Sequence, residues 1–350
     1  MSKKVMIGMS GGVDSTVAAF LLKEQGYDVA GMNCRFFCED EALLNSGDDI
    51  RDAENVCRKL QIPFFVSDLR KELSDCVIED FLTAYERGAT PNPCVCCNKH
   101  MKFDLMLKKA EEQGYDNIAT GHYAIIEKDP NGRYLLKKGT DTIKDQSYVL
   151  YVLNQNQLSH SVFPLGGLCK SEIREIAESM DFINANRKDS QDICFVPDGD
   201  YASFIEKRTG KTYPSGDFVT RDGKVLGEHK GIIRYTVGQR KGLGLALPAP
   251  MYVCEKDVIN NRVILSDNES LFTKTLTAKN INLIPFDRID SPIRVKAKVR
   301  YKHQEQWATV HQTDEDTLFV EFDEPVRAIA KGQSLVMYDG DYVVGGGIIE

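Results

Sequence analysis

The chain has no apolar run long enough to cross a bilayer, and Met1-Ser2-Lys3-Lys4 leads into the apolar stretch Val5–Ile7 without a hydrophobic or arginine-rich presequence. Neither membrane insertion nor secretion is expected, and the location expected is cytoplasmic. Internal repeats and low-complexity tracts are also missing, which excludes a solenoid or a disordered polymer. There is no excess of positive charge: 44 Lys and Arg against 52 Asp and Glu leave a net charge of −8. That average field argues mildly against a nucleic-acid partner, although a local basic surface can coexist with an acidic whole. What is present is an ordinary apolar fraction of 42%, and 10 cysteines that, without a secretory signal, point to thiol or metal chemistry rather than to a disulfide framework.

At 350 residues the chain is long for a single domain. Its first half alternates short apolar runs with amphipathic stretches: Val5–Met9 and a helix ending near Gly26, Val29–Cys34 and Asp48–Leu60, Phe64–Val66 and Lys71–Ala84. After a cysteine-rich loop come a helix over Lys99–Gln113, the run Ile118–Thr120 and a hairpin over Ile125–Lys138 around Pro130-Asn131-Gly132. This rhythm predicts an α/β fold with a parallel sheet covered by helices on both faces, and ligands of such sheets bind at the carboxyl ends of the strands. From about Thr209 short alternating runs and turns replace the helical patterns, which predicts two small β-rich domains. The expected boundaries are 1–208, 209–278 and 279–350.

The stretch Gly8-Met9-Ser10-Gly11-Gly12-Val13-Asp14-Ser15 falls between the first strand and the first helix. Glycines allow a sharp turn and close approach, and N–H groups at a helix N-terminus attract an anion, so a nucleotide phosphate is the expected occupant. No lysine follows the glycines as in G-x-x-x-x-G-K-[ST], and the spacing is not G-x-G-x-x-G, so γ-phosphate hydrolysis and dinucleotide binding lose ground. The loop resembles that of the ATP pyrophosphatases, which grip the β,γ-pyrophosphate and break ATP at its α-phosphate.

Two further patterns carry chemistry. In Thr90-Pro91-Asn92-Pro93-Cys94-Val95-Cys96-Cys97-Asn98-Lys99 the cysteines fall just before an expected helix, whose N-terminus would depress a thiol pKa. Cys194 lies in Ser190-Gln191-Asp192-Ile193-Cys194-Phe195, whereas Cys57, Cys76, Cys169 and Cys254 sit in ordinary patterns and Cys96 is expected to be a bystander. Later in the chain Arg294, Lys296, Lys298, Arg300 and Lys302 alternate with apolar residues, placing five cations on one strand face. Such a row is either a solvated face or a line that a polyanion would neutralise.

Together, Ser10–Ser15, the Asn92–Lys99 element, Thr120-Gly121-His122-Tyr123-Ala124, Lys144-Asp145-Gln146-Ser147-Tyr148, Ser190–Phe195 and Thr236-Val237-Gly238-Gln239-Arg240-Lys241-Gly242 resemble, in order, the bacterial tRNA-specific 2-thiouridylases. The resemblance implies a Rossmann-like ATP pyrophosphatase domain, a C-terminal tRNA-binding β-barrel, and ATP-dependent replacement of the 2-oxygen of the wobble uridine by sulfur in the tRNAs for glutamate, glutamine and lysine. It implies that Gly8, Met9, Ser10, Gly11, Gly12, Val13, Asp14, Ser15, Cys34 and Gly121 bind ATP, with Asp14 helping to place Mg²⁺. Cys194 would carry a persulfide from a sulfur-relay or cysteine-desulfurase-linked donor protein, and Cys97 would resolve it or attack the base. Asn92, Pro93 and Cys94 would border the target base. His122, Lys144, Asp145, Gln146, Arg300, Tyr301 and Gln333 would meet the anticodon region of tRNA. Cys94 replaces a commoner aspartate, so Cys94, Cys97 and Cys194 are candidate ligands of a 4Fe-4S iron–sulfur cluster, with a zinc site or a redox pair as competing readings. The rival functions are a GMP synthetase-like amidotransferase, a non-catalytic tRNA-binding protein and a thiol oxidoreductase.

Overall fold

Val5, Met6 and Ile7 in strand β1 (Lys4–Gly8) are wholly buried, as befits a central strand covered on both faces. The computed structural model describes residues 3–37, 47–185 and 193–350. β1 pairs in parallel with β2 (Asp28–Arg35) on one side and β4 (Asn117–Ala119) on the other. β3 (Phe64–Asp68) and β7 (Ser161–Val162) complete the order β3-β2-β1-β4-β7. The side-chain alternation of β1 selects its neighbours. Val5 and Ile7 face a cluster with α1 (Val13–Glu24), α2 (Gly47–Leu60) and α9 (Lys170–Ser179), whereas Met6 faces Phe103, Met106 and Ala110 on the opposite layer.

Helices α3 (Arg70–Leu73) and α4 (Glu79–Glu86) are joined by a π-turn at Ser74–Ile78. The helix expected from Lys99 begins six residues earlier. It runs through α5 (Pro93–Cys97), a π-helical stretch Asn98–Leu105 and α6 (Met106–Glu112). Asn92 caps it, its side-chain oxygen accepting from the Cys94 N–H at 3.2 Å, and Pro93 takes the first helical position, where a missing N–H costs nothing. Cys94–Cys97 therefore lie inside the helix rather than ahead of it.

The hairpin between β5 (Ala124–Lys128) and β6 (Tyr134–Lys138) forms as expected. Short helices α7 (Ser147–Leu150) and α8 (Gln155–Ser159) follow it, and α10 (Tyr201–Thr209) leads into the second domain. There β8 (Gly216–Thr220), β9 (Val225–His229), β10 (Tyr252–Asp257) and β11 (Arg262–Ser266) form a sheet of order β10-β11-β8-β9. In the last domain β12 (Phe272–Leu283), β15 (Thr317–Arg327), β14 (Gln306–Asp314), β13 (Ile293–Lys298), β16 (Ser334–Asp339) and β17 (Tyr342–Ile349) pair in that order, and β12 also pairs with β17, closing a barrel. The boundary expected at 278 falls inside β12, whose whole length belongs to the barrel. The hairpin adds to the barrel's rim: Lys137 registers with Tyr342, and the Lys138 N–H donates to the Asp341 carbonyl at 2.9 Å. One core cluster accordingly joins Leu136, Tyr148 and Tyr151 of the first domain to Ile284, Val336, Tyr338 and Val343 of the barrel.

Candidate active site

The Gly8–Ser15 loop leaves the carboxyl end of β1 at the point where the strand order reverses, with Gly12 as the N-cap of α1. Gly11 has φ +77°, and a Cβ there would lie 2.8 Å from the Asp49 carbonyl oxygen, so two separate demands select glycine. The loop is braced from within. Ser15 and Thr16 hydroxyls donate to the Gly12 carbonyl at 3.0 and 3.1 Å, and Asn184 donates to the Gly11 carbonyl at 2.9 Å.

Asp14 stands in the first turn of α1, and its Oδ1 accepts from the Tyr123 hydroxyl at 2.6 Å and the Lys170 ammonium at 2.7 Å. This carboxylate is the anionic half of an ion pair with Lys170. Gly121 approaches the same turn so closely that a Cβ would lie 3.0 Å from the Asp14 carbonyl carbon and 3.1 Å from the Ser15 nitrogen. Lys170 and Asn184 were not singled out, and Tyr123 entered only as a member of the Thr120–Ala124 motif, because their roles arise from contacts across more than 100 residues of sequence.

The loop opens onto a cavity of about 260 Å³. Gly8, Met9, Ser10, Asp14 and Ser15 form one side, Met32 and Cys34 of β2 another, and Lys102, Gly121, His122 and Gln146 close it. His122 is buried: its Nδ1 lies 2.7 Å from the Thr120 hydroxyl, and its ring is flanked by Phe103 and Phe163 at 5.7 and 6.0 Å. Burial, with the Lys102 charge adding to it, holds His122 well below the ordinary histidine pKa, so the imidazole is neutral at pH 7. It reaches only what enters the cavity.

Cys94 is exposed and Cys97 half-buried. Burial raises the Cys97 thiol, opposed by Lys102, which corrects the expectation of a pKa depressed by a helix N-terminus: Cys97 is the fifth helical residue, beyond the first turn. Burial pushes Cys34 up to about 12, with Cys97 reinforcing and Lys102 opposing it. Cys194 has solvent-accessible surface, yet protein crowds its sulfur. That crowding, then Cys97 and Cys94, push its thiol up to about 12, again against Lys102. Accessible surface governs whether a donor can reach this sulfur, and crowding governs its charge. Among the described residues no three His, Cys, Asp or Glu side chains, Cys94, Cys97 and Cys194 included, form a group that could hold a metal ion. Ser190, Gln191 and Asp192 lie outside the described residues.

Several residues expected at an RNA surface are turned inward. Asp145 accepts from the Gly139 and Ser147 N–H groups and the Ser147 hydroxyl, at 2.8 to 3.1 Å, and so anchors α7. Gln146 accepts from the Tyr123 N–H at 3.0 Å while lining the cavity, and Lys144 is half-buried beside it in sequence. Arg300 donates to the Val237 and Ala328 carbonyls at 2.9 and 2.8 Å, tying the second and third domains together. The Gln333 amide donates to the Thr90 carbonyl at 2.7 Å, and the Thr90 N–H donates to the Lys331 carbonyl at 2.8 Å, so the barrel grips the segment that leads to the cysteines. The Tyr301 hydroxyl donates to the Asp145 carbonyl at 3.0 Å, and its ring packs edge-on against Tyr148. The five-cation row is likewise partly neutralised within the protein. Arg294 pairs with Asp323 at 2.7 Å, Lys298 lies 3.9 Å from Glu305, and Lys296 stands over the Trp307 ring. β13 ends at Lys298, before Arg300 and Lys302. Its apolar alternates Val295, Ala297 and Val299 are buried as expected.

Residues 3–198 match the family described as the tRNA methyl transferase HUP domain, 202–267 the tRNA methyl transferase PRC-barrel domain, and 273–349 the aminomethyltransferase beta-barrel domain. The tRNA-specific 2-thiouridylase MnmA of Clostridioides difficile is 52% identical, covering 100% of this chain and 99% of that protein. The proteins of the same name from Clostridium acetobutylicum and Acetivibrio thermocellus are 47% and 48% identical, each covering at least 99% of both chains.

Proposed function

Because the chain belongs to the tRNA-specific 2-thiouridylase family, we propose that it replaces the 2-oxygen of the wobble uridine of the tRNAs for glutamate, glutamine and lysine by sulfur, using ATP. The observation that carries this reading is one cavity lined on one side by the phosphate loop and on another by Cys34 and Lys102, with Cys97 an electrostatic neighbour of both and Cys194 a neighbour of Lys102 and Cys97. A methyl-transfer reading, taken from the wording of the HUP-domain family, leaves the phosphate loop without a task.

The uracil 2-oxygen is a poor leaving group, so it first attacks the α-phosphate of ATP. An O–P bond forms, the bond to the β-phosphate breaks, and pyrophosphate departs. The Ser10–Ser15 backbone binds the phosphates, and Mg²⁺ enters as the nucleotide's own counterion. The terminal sulfur of a persulfide on Cys194, supplied by a persulfide-bearing donor protein, then attacks C2. The S–C2 bond forms and the C2–O bond breaks, so AMP leaves with the electron pair. The Cys97 thiolate attacks the Cys194 sulfur, forming a Cys97–Cys194 disulfide and releasing the thiolated base, and a cellular dithiol reduces the disulfide. The anticodon base is unpaired, so drawing it into the cavity costs only unstacking, a few kcal/mol at most. Asn92, Pro93 and Cys94 border it there. The internal hydrogen bonds of half-buried Asp145, Arg300 and Gln333 support a role in holding the domains around the base.

The test is incubation with ATP, unmodified tRNA and a cysteine desulfurase with cysteine as sulfur source, followed by nucleoside analysis. The expected product is 2-thiouridine with stoichiometric AMP, lost in Cys97→Ser and Cys194→Ser. AMP formation that requires ammonia, without 2-thiouridine, would replace this reading by an amidotransferase.

A further inference from the structure

Lys102 follows Cys97 by five residues, and the π-helical stretch Asn98–Leu105 decides where it points. In a helix closed by i+5 hydrogen bonds, residues five apart lie on much the same face, whereas in an α-helix they diverge by about 140°. Lys102 thus projects from the Cys97 face of the helix into the nucleotide cavity, where it lines the wall with Gly8, Ser10, Ser15 and Cys34. It is half-buried, and among the described residues no carboxylate pairs with it.

The titratable groups around it are Cys34 from β2, Cys97 from α5, Cys194 near the entrance to α10, and His122 after β4. All four are neutral in the folded chain at pH 7. Among the described residues Asp14 is the one carboxylate of the cavity wall, and it is taken by Lys170. A half-buried ammonium beside three thiols and a phosphate loop, with no carboxylate among the described residues to pair it, is arranged for an anion that arrives during the reaction.

We propose that Lys102 is a catalytic residue whose ammonium holds the sulfur anion attacking the activated uracil carbon, and then the phosphate of the AMP that departs. As the S–C2 bond forms and the C2–O bond breaks, one negative charge passes from sulfur to the leaving group, and the same cation lies beside both positions. No proton transfer and no additional reactant is needed. This inference rests on the thiolation reading.

The test compares Lys102→Met and Lys102→Arg with the unaltered chain in two measurements: single-turnover 2-thiouridine formation, and iodoacetamide modification of Cys97 and Cys194 at pH 8, read by peptide mass spectrometry. Lys102→Met is expected to slow alkylation of both cysteines about tenfold, the effect of one pKa unit. Thiolation is expected to fall by about a hundredfold or more, the usual loss when a charge-stabilising group is removed. Lys102→Arg is expected to restore alkylation to within about threefold, since it keeps the charge. Alkylation and thiolation at undiminished rates in Lys102→Met would overturn the proposal, as would loss of thiolation with alkylation unchanged. If the unaltered chain forms no 2-thiouridine, the functional reading fails on its own, and the alkylation rates still decide whether Lys102 governs the sulfurs.

Discussion

Gly121 shows how tightly single atoms define this site. The chain passes so close to the first turn of α1 that a methyl group has no room, and Gly121→Ala must push the phosphate loop away from β4. The expected result is a loss of about 1–3 kcal/mol of stability, the range for overpacking, with ATP binding in calorimetry weakened at least tenfold. His122 supplies a second prediction. Its folded pKa lies below its unfolded value, so below pH 6.5 the unfolded chain binds a proton that the folded chain refuses, and stability present above that pH is lost as the pH falls. Urea midpoints should drop between pH 7 and pH 5, and His122→Phe should flatten that drop. For the thiols the sign reverses. Cys34 and Cys194 are raised to about 12, so from about pH 8.5 upward the unfolded chain ionises first and stability declines with rising pH. Replacing Cys34 by Ala should reduce that alkaline loss in the same titration. The sequence made the loop residues visible because glycine spacing reports backbone geometry directly. It could not reveal the Asp14–Lys170 pair, since nothing local ties residues 156 apart in the chain.

At the scale of elements, the helix carrying Cys94 and Cys97 starts where capping chemistry sets it, ahead of the apolar pattern. The apolar pattern starts at Lys99, but Asn92-Pro93 is an N-cap followed by a proline in the first turn, and that pair sets the helix start. Asn92→Ala should cost about 1 kcal/mol in thermal unfolding. Cys94, whose N–H it caps, should become more reactive toward alkylation than Cys97 does, because the exposed first turn frays before the half-buried fifth residue. The π-helical stretch leaves no mark in composition, which is why Lys102 could not be aligned with Cys97 beforehand. By contrast, the β1–α1 and β1–β2 units were legible because buried parallel strands read as continuous apolar runs. In the basic row, alternation gave the buried side of β13 correctly but hid its counterions, since Asp323 and Glu305 come from other parts of the barrel.

Taken whole, the molecule interlocks rather than lining up three beads. The barrel shares a core with α7 and the hairpin, holds Thr90 through Gln333, and reaches the second domain through Arg300. Truncation after residue 267 would expose Leu136, Tyr148 and Tyr151, all buried in the full chain, so the shortened protein should lose near-ultraviolet circular dichroism and bind a hydrophobic dye. The full chain should melt with the first and third domains in one calorimetric transition. Domain number and fold class followed from texture alone, whereas this interlocking did not, because a hairpin's own residues do not say which sheet it will join. That hairpin also determines how the protein can be recombined with its relatives. A chimaera cut at the linear borders would leave β6 facing a foreign β17. The unit that must be transplanted is therefore discontinuous, the barrel together with residues 124–138, so exchange of substrate-facing parts between such enzymes would require three crossovers instead of one.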